Sequence, residues 1–394
     1  MRVAVIGGKL QGLEAVYLAK KAGWQTLLID KNANVPAAAI CDYFCQADVY
    51  NEEVMASRLY DVDLVIPALE NRRVLQSLAK TTKRLMIPLA LDLQAYDISS
   101  SKNRSDHLFA EIDIPAPNPW PNCNFPVIAK PSGASGSEGV LHLQKASELE
   151  LFQEKMRTSI QDWVIQEFLD GPSYSIEVVG WCGQYIPLQV TALEFDQYYD
   201  CKRVRSPVTL EMNQQNEFAD IALKLARKLN LKGIMDVEVI LHQERLKVLE
   251  IDARLPSQTP TAVYHSTGLN MLELIGSIYA TKSVPDVFPS HHQKAVIYEH
   301  IVVADDTLTV AGEHVVSTAG PLFHIEGFFG ADEALTNYSP GKRAWIATLI
   351  NTGSSKELVD QKRETVMNNI LSEMKISSYI DPQPVTNNYV AQEK

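Results

Sequence analysis

No apolar run in the 394 residues approaches the length of a membrane-spanning helix. The opening stretch Met1-Arg2-Val3-Ala4-Val5-Ile6 reads as a short buried strand ending in glycines, not as a signal peptide. No block of basic residues occurs either. Lysine and arginine number 36 against 48 acidic residues, a formal net charge of −12, which excludes nucleic acid and anionic membrane as expected partners. Cysteine is sparse: Cys41, Cys45, Cys123, Cys182 and Cys201 are scattered and odd in number. Cys41 and Cys45 lack a second ligand pair, so structural thiols in a reducing cytoplasm are expected. The phosphate-loop pattern G-x-x-x-x-G-K-[ST] is missing, as is any internal repeat.

What is present is ample apolar content, 46% of a chain long enough for two or three domains. Strands are expected at 3–6, 26–29, 63–67 and 85–89, with a helix at 13–22 stopped by Gly23. Such alternation predicts an open parallel sheet, whose ligands bind beyond the carboxyl ends of the strands. The turn Gly7-Gly8-Lys9-Leu10-Gln11-Gly12 only loosely matches a dinucleotide fingerprint, because Lys9 replaces the middle glycine. A helix at 102–111 is followed by the breaking prolines Pro115, Pro117, Pro119, Pro121 and Pro126. The strand 125–130 ends on Lys130 and enters Pro131-Ser132-Gly133-Ala134-Ser135-Gly136-Ser137-Glu138-Gly139, before a short strand at 140–143. A glycine and serine loop between two strands can point several N–H groups at phosphate oxygens; a flexible hairpin tip is the plain alternative. The strand 163–169 can offer backbone groups and an apolar surface to a purine. The tail from 376 is polar and expected to be loose.

The most telling stretch is a pair of strands, 234–241 and 248–252, joined by His242-Gln243-Glu244-Arg245. Apolar Val237, Val239, Leu241, Leu249 and Ile251 fall at odd positions, and acidic Asp236, Glu238, Glu250 and Asp252 at even ones. Side chains two apart share a face of a strand. A register that keeps the apolar sets on one side therefore sets Glu238 near Glu250 and Asp236 near Asp252. Four converging carboxylates repel one another unless cations sit among them, and oxygen-only ligands suit Mg²⁺. A solvated acidic face is the alternative. Arg254 and the turn Pro256-Ser257-Gln258-Thr259 beside the acids favour an anion-handling site.

Lys102, Lys130, the segment 166–169 and Glu250-x-Asp252-x-Arg254 follow one another in the order of the ATP-grasp ligases, and the chain resembles that family over nearly its whole length. The resemblance implies an α/β and α+β architecture, with a Rossmann-like parallel-sheet domain at 1–98 and a central domain at 99–285 whose flap covers about 113–168. It further implies an α+β domain at 286–375 and a tail at 376–394. ATP is enclosed between the two α+β subdomains, and a carboxylate is joined to an amine through an acyl phosphate. The runs 7–12, 231–238 and 251–264 resemble more closely the branch acting in pyrrolysine biosynthesis, which couples 3-methyl-D-ornithine to the side-chain amine of L-lysine.

The resemblance implies the following roles. Glu238, Glu250 and Asp252 hold Mg²⁺, and Lys102, Lys130 and Arg254 act on the phosphoryl and acyl groups. ATP meets Lys9, Asp30, Asp48, Val49, Lys102, Lys130, Ser137, Gln166, Glu167, Phe168 and Leu169, with either Lys202 or Arg203 as a further cation. Leu10, Gln11 and Glu70 serve lysine; Ser175, Ile176, Glu177, Asp236, Arg254, Ser257, Gln258, Thr259 and Glu299 serve the ornithine. Three plainer readings stand beside these: an ion pair with Asp252 for Arg254, a helix-capping acid for Glu70, and an exposed strand residue for Glu299. Ser173 stands where the family often has a ribose-binding acid. The acceptor of the lysine proton and the oligomeric state, including a homo-oligomer, stay open. Rival readings are a ligase with another acceptor, a nicotinamide oxidoreductase prompted by the glycine turn and Asp30, and a non-catalytic nucleotide binder. The oxidoreductase leaves Lys130, the flap and the acidic strands unexplained. Intact Glu238, Glu250, Asp252 and Arg254 argue against the mere binder.

Overall fold

The computed structural model describes residues 1–134, 136–286 and 293–384. Its first sheet is parallel, in the order Tyr43–Gln46, Gln25–Asp30, Arg2–Ile6, Leu64–Pro67. The expected strand at 85–89 is reduced to a bridge from Leu89 to Val65, because the helix Arg72–Leu85 runs to its start. An unanticipated strand, Tyr43–Gln46, takes the opposite edge with Tyr43 and Phe44 exposed, so no apolar run marked it. The first helix, Leu10–Lys21, begins three residues earlier than expected, directly on the glycine turn. The turn is tight enough to require glycine: a Cβ at Gly12 would lie 2.0 Å from the Gly7 carbonyl oxygen, and Gly7 itself has φ +102°. The helix N-terminus consequently opens at the carboxyl ends of the strands.

The second sheet is mainly antiparallel and has eleven strands, with the acidic hairpin Gly233–His242 and Arg245–Asp252 at one edge. Alternation sorts its faces. Tyr174, Ile176, Val178, Val237, Val239 and Ile251 pack with Phe218, Ala222 and Leu225 of the helix Met212–Leu229. Ser175, Glu177, Asp236, Glu238, Glu250 and Asp252 occupy the intervening positions, in register with one another across three strands. The strand Ala295–Ala304 pairs with Cys201–Ser206, so residues from the last hundred extend the same sheet.

A separate three-stranded sheet, ordered Leu141–Leu143, Val127–Pro131, Trp163–Glu167, carries the flap. The Lys102 N–H bonds the Ser132 carbonyl at 2.9 Å and ties this sheet to the helix Lys102–Glu111. The tail is not loose as far as residue 384. Ser378–Ile380 pairs in parallel with Thr307–Thr309, and Asp381 meets Lys202 and Arg203, each at 2.6 Å. Residues 385–394 lie outside the described residues, as does Ser135 of the flap. No described helix is long and apolar enough to cross a membrane.

Candidate active site

The hairpin adopts the expected register at its acids, Asp236 opposite Asp252 and Glu238 opposite Glu250, but an irregularity between Glu238 and Val239 sets Val239 opposite Val248, so Leu246 and Val248 enter the core in place of the expected Leu249. Burial, then Glu250, pushes the Glu238 carboxyl up to about 8. Burial likewise raises Asp252 to about 7, against the pull of Arg254, and drives Asp236 well above its usual range. These carboxylates are short of positive charge. Lys102 Nζ lies 3.0 Å from Glu250 Oε1, and Lys130 Nζ lies 3.4 Å from the Leu249 carbonyl oxygen; both lysines are buried. Burial lowers the Lys130 pKa although Glu250 opposes it. Among the described residues, only Asp196, Asp200 and His314 bring three ligand atoms within 4.8 Å of one another. The hairpin acids therefore suit a cation that completes its shell with other oxygens, as Mg²⁺ held against phosphate does.

Arg254 follows directly. It bonds Asp252 at 2.6 Å, the Leu255 carbonyl at 3.2 Å and Glu70 of the first domain. The ion pair with Asp252 is thus real, but it is not on the surface: the side chain is 12% exposed, and its Nε has no partner. Gln11 Nε2 holds the Leu255 carbonyl at 2.6 Å, so the first helix fixes the turn after Arg254. Gln258 enters the helix Thr259–Thr267 at φ +69°, a conformation rare for a side-chain-bearing residue. Beneath it Glu177 is wholly buried. Thr259 donates to Glu177 Oε1, while Glu177 Oε2 has no partner. Ser175 Oγ, Asp236 Oδ1 and Gln258 Oε1 are buried and unpartnered as well. Orphaned buried polar atoms are costly; Asp236, Arg254 and Gln258 line one cleft, and Ser175 and Glu177 lie on the strand paired with that of Asp236.

Burial raises Glu177 from 4.5 to about 7, and does the same to Glu14, which Thr261 and Tyr298 bond from the far side of the first helix. Between pH 4.5 and 7 these two carboxyls, with Glu238 and Asp252, keep protons that the unfolded chain releases, and they outnumber the buried His265 and His300, lowered to about 4 and 3, which act the other way. Stability of the ligand-free protein is therefore expected to fall as pH rises through this window. A series of thermal unfolding curves checks this; a midpoint that rises with pH there would contradict it.

A cleft of about 1520 Å³ joins these groups, larger than a single-ligand pocket of about 300–1,000 Å³. Its walls include Lys9, Leu10, Gln11, Asp30, Asp48, Val49, Glu70, Ser137, Arg254, Ser257, Gln258, Thr259 and the four hairpin acids. Asp30 accepts the Gly8 N–H at 2.8 Å. Ser137 donates to the Tyr199 carbonyl, holding the flap across the cleft. In the hinge segment, Gln166 is buried and Phe168 packs 4.3 Å from His142, centroid to centroid. The Glu167 carboxylate is taken by Lys247 at 2.7 Å and by the Asn118 N–H at 3.0 Å.

Ile176, expected at the ornithine, is a core residue packed under the helix Met212–Leu229, and Lys102, Lys130, residues 166–169, Ser175 and Glu177 do not line this cleft. Three further expected residues stand elsewhere. Glu299 pairs in register with Arg203 and is wholly buried, bonding Arg203 at 3.0 Å and Arg363 at 2.8 Å. It lies on the face covered by the helix Lys356–Met374, opposite Tyr298, which points to Glu14. It is neither a cleft residue nor an exposed one. Lys202 and Arg203 are both engaged by Asp381, so neither lines the cleft. The acid that does reach the donor turn from the last hundred residues is Glu313. Its Oε2 accepts from Gln258 Nε2 at 2.7 Å and from Ser257 Oγ at 3.2 Å. Burial, then Asp200, raises its pKa. Gly-Glu-His at a strand end carries no local signal that would have singled it out.

An ATP-grasp domain model matches residues 100–258. The 3-methyl-D-ornithine–L-lysine ligase of Methanosarcina mazei is 36% identical over 325 residues, covering 80% of this chain and 82% of the relative. That of Methanosarcina acetivorans is 33% identical over 372 residues, covering 92% and 96%. Solved structures share the fold. The biotin carboxylase domain of Hydrogenobacter thermophilus 2-oxoglutarate carboxylase, in complex with MgADP, ADP and bicarbonate, superposes at TM-score 0.72 and 14% identity, covering 93% and 89%. N5-carboxyaminoimidazole synthetase of Staphylococcus aureus with ADP does so at 0.67 and 12%, covering 93% and 96%.

Proposed function

The chain belongs to the family of 3-methyl-D-ornithine–L-lysine ligases, ATP-dependent carboxylate–amine ligases of ATP-grasp fold, and from that premise we propose that it joins the carboxylate of 3-methyl-D-ornithine to the ε-amine of L-lysine. One observation carries the substrate reading: buried atoms without a partner on Asp236, Arg254 and Gln258 in the cleft wall, and on Ser175 and Glu177 of the strand paired with that of Asp236. A diamino acid brings two ammonium groups and one carboxylate, which complement two acids and a guanidinium. Glu313, not Glu299, supplies a further acid to the same pocket.

Phosphoryl transfer to a carboxylate brings two anions together, so the protein's task is positioning and charge neutralisation. Lys102 and Lys130 face the phosphates from the flap side. Arg254 holds the donor carboxylate, then the acyl phosphate and the oxyanion that forms on attack. Glu238, Glu250 and Asp252 would hold Mg²⁺, which supplies further neutralisation of phosphate charge. The flap excludes water that would hydrolyse the anhydride. Leu10, Gln11 and Glu70 hold lysine at the first domain's edge of the cleft.

Glu313→Gln is expected to raise KM for methylornithine or D-ornithine about 10- to 100-fold, the worth of a hydrogen bond to a charged group. Turnover with a donor lacking the side-chain amine should change little. Initial rates of ADP release with both donors check this; an equal loss for both would remove Glu313 from ammonium recognition.

A further inference from the structure

An ammonium cannot attack an acyl phosphate, and no group described so far takes the proton of the incoming amine. We propose that Asp200 and His314 form a proton-accepting pair that deprotonates the attacking ε-amine, an inference that rests on the ligase reading above. Asp200 Oδ2 accepts both the backbone N–H of His314, at 3.0 Å, and its ring Nδ1. An ionised carboxylate only accepts, so Nδ1 carries the hydrogen, and in the neutral ring the lone pair is then on Nε2. The ring is 53% exposed and lines the same cleft as the acids and Arg254, whereas Asp200 is 7% exposed.

The pair is rigidly built. The Asp200 N–H bonds Asp196 Oδ1 at 3.1 Å, and Asp196 Oδ2 accepts the Gly312 N–H at 3.1 Å. Gly312 admits no side chain, since a Cβ there would fall 2.4 Å from Asp200. Both partners adjoin the donor turn through their chain neighbours. Glu313 binds Ser257 and Gln258, and the Cys201 carbonyl accepts Gln258 Nε2 at 3.5 Å.

The same three side chains, Asp196, Asp200 and His314, are close enough to suggest a metal site. Their environment argues otherwise. The N–H groups of Tyr198, Asp200, Gly312 and His314 all point at the two carboxylates, which presents positive dipole ends where a cation would sit. An orienting carboxylate behind an imidazole is what proton transfer requires. Among the described residues, Glu313 beside it and His300 on the strand Ala295–Ala304 are further titratable groups near the ring. Burial lowers the His300 pKa to about 3, so His300 is neutral and adds no charge.

In the step, His314 Nε2 takes one proton from the ε-ammonium. The freed nitrogen pair attacks the acyl carbon, and a C–N bond forms as the carbonyl electrons move onto oxygen beside Arg254. The C–O bond to phosphate then breaks with its electron pair going to phosphate, which leaves carrying the second N–H proton. The imidazolium returns its proton to solvent.

Hydroxylamine, largely unprotonated near neutrality, is a nucleophile that needs no such base. His314→Gln should lower ligation to lysine about 100-fold or more, while hydroxamate formation from the same donor and ATP stays within about twofold of the parent enzyme. The lysine rate of the variant should also rise with pH as the free lysine amine does. Asp200→Asn should show the same split between nucleophiles. A lysine rate near that of the parent in His314→Gln, or equal losses for both nucleophiles, would overturn the pair's role. If the parent enzyme makes neither the lysine amide nor the hydroxamate, the ligase reading fails and the inference with it.

Discussion

Replacing Glu250 by glutamine lowers ATP-dependent ligation by about 100- to 1,000-fold, the scale of losing one group preorganised toward transition-state charge, yet leaves the protein folded and no less stable without ligand. The substitution preserves shape and removes a single negative charge opposite Glu238. Glu250 is the first electrostatic cause, after burial, of the raised Glu238 carboxyl, so removing its charge relieves repulsion in the ligand-free protein. On the proposed reading the same loss weakens the hold on Mg²⁺, while Lys102, 3.0 Å from Glu250 Oε1, keeps the amide oxygen and the Ala134 carbonyl as acceptors but loses the neighbouring negative charge. Activity and stability should therefore move in opposite directions, as they do where a site stores unfavourable charge. ADP release and thermal unfolding on the same preparation measure both. Unchanged turnover would remove Glu250 from the metal set.

Arg254→Lys lowers turnover by about 100-fold or more with little change in the KM for ATP. Lysine keeps the charge but has one nitrogen where guanidinium has three, so it cannot bridge Asp252, Glu70 and the Leu255 carbonyl together. Glu70 follows the parallel-sheet strand Leu64–Pro67 and Asp252 ends the hairpin, so Arg254 is also a strut across the cleft. The variant should accordingly be less stable by about 3 kcal/mol or less, the lower range for breaking a buried pair. Urea unfolding and steady-state rates separate the effects. A rise in the KM for ATP with turnover intact would place Arg254 on the nucleotide and not on the acyl group.

Where a residue's role follows from local periodicity, the sequence was readable. The acidic hairpin is the strongest case, because odd apolar and even acidic positions in two adjacent strands favour one register, which holds at all four acids; the shift after Glu238, which takes Leu249 out of the core, has no local signal. Lys102 and Lys130 were legible because each abuts a recognisable element, a helix start and a flap strand. Glu299 was not, because its strand is buried on both faces. Tyr298, Glu299 and His300 are all inaccessible, so parity gives no clue to which side meets the cleft. For Lys202, an irregularity in pairing between Cys201 and Arg203 obscures the alternation, and its partner Asp381 lies 179 residues away. Glu313 and His314 join the site only because Ala295–Ala304 pairs with Cys201–Ser206, a contact that no short window of sequence contains. The edge strand Tyr43–Gln46 was invisible for the opposite reason: its side chains are mostly solvated, so nothing apolar marks it.

The account turns on one reaction, and mass spectrometry of its product tests it most directly. Incubated with ATP, Mg²⁺, 3-methyl-D-ornithine and L-lysine, the protein should yield the two amino acids joined less one water, with fragments placing the amide on the lysine side-chain nitrogen and one ADP formed per product. ATP consumption without any such amide, or no nucleotide turnover at all, would contradict it.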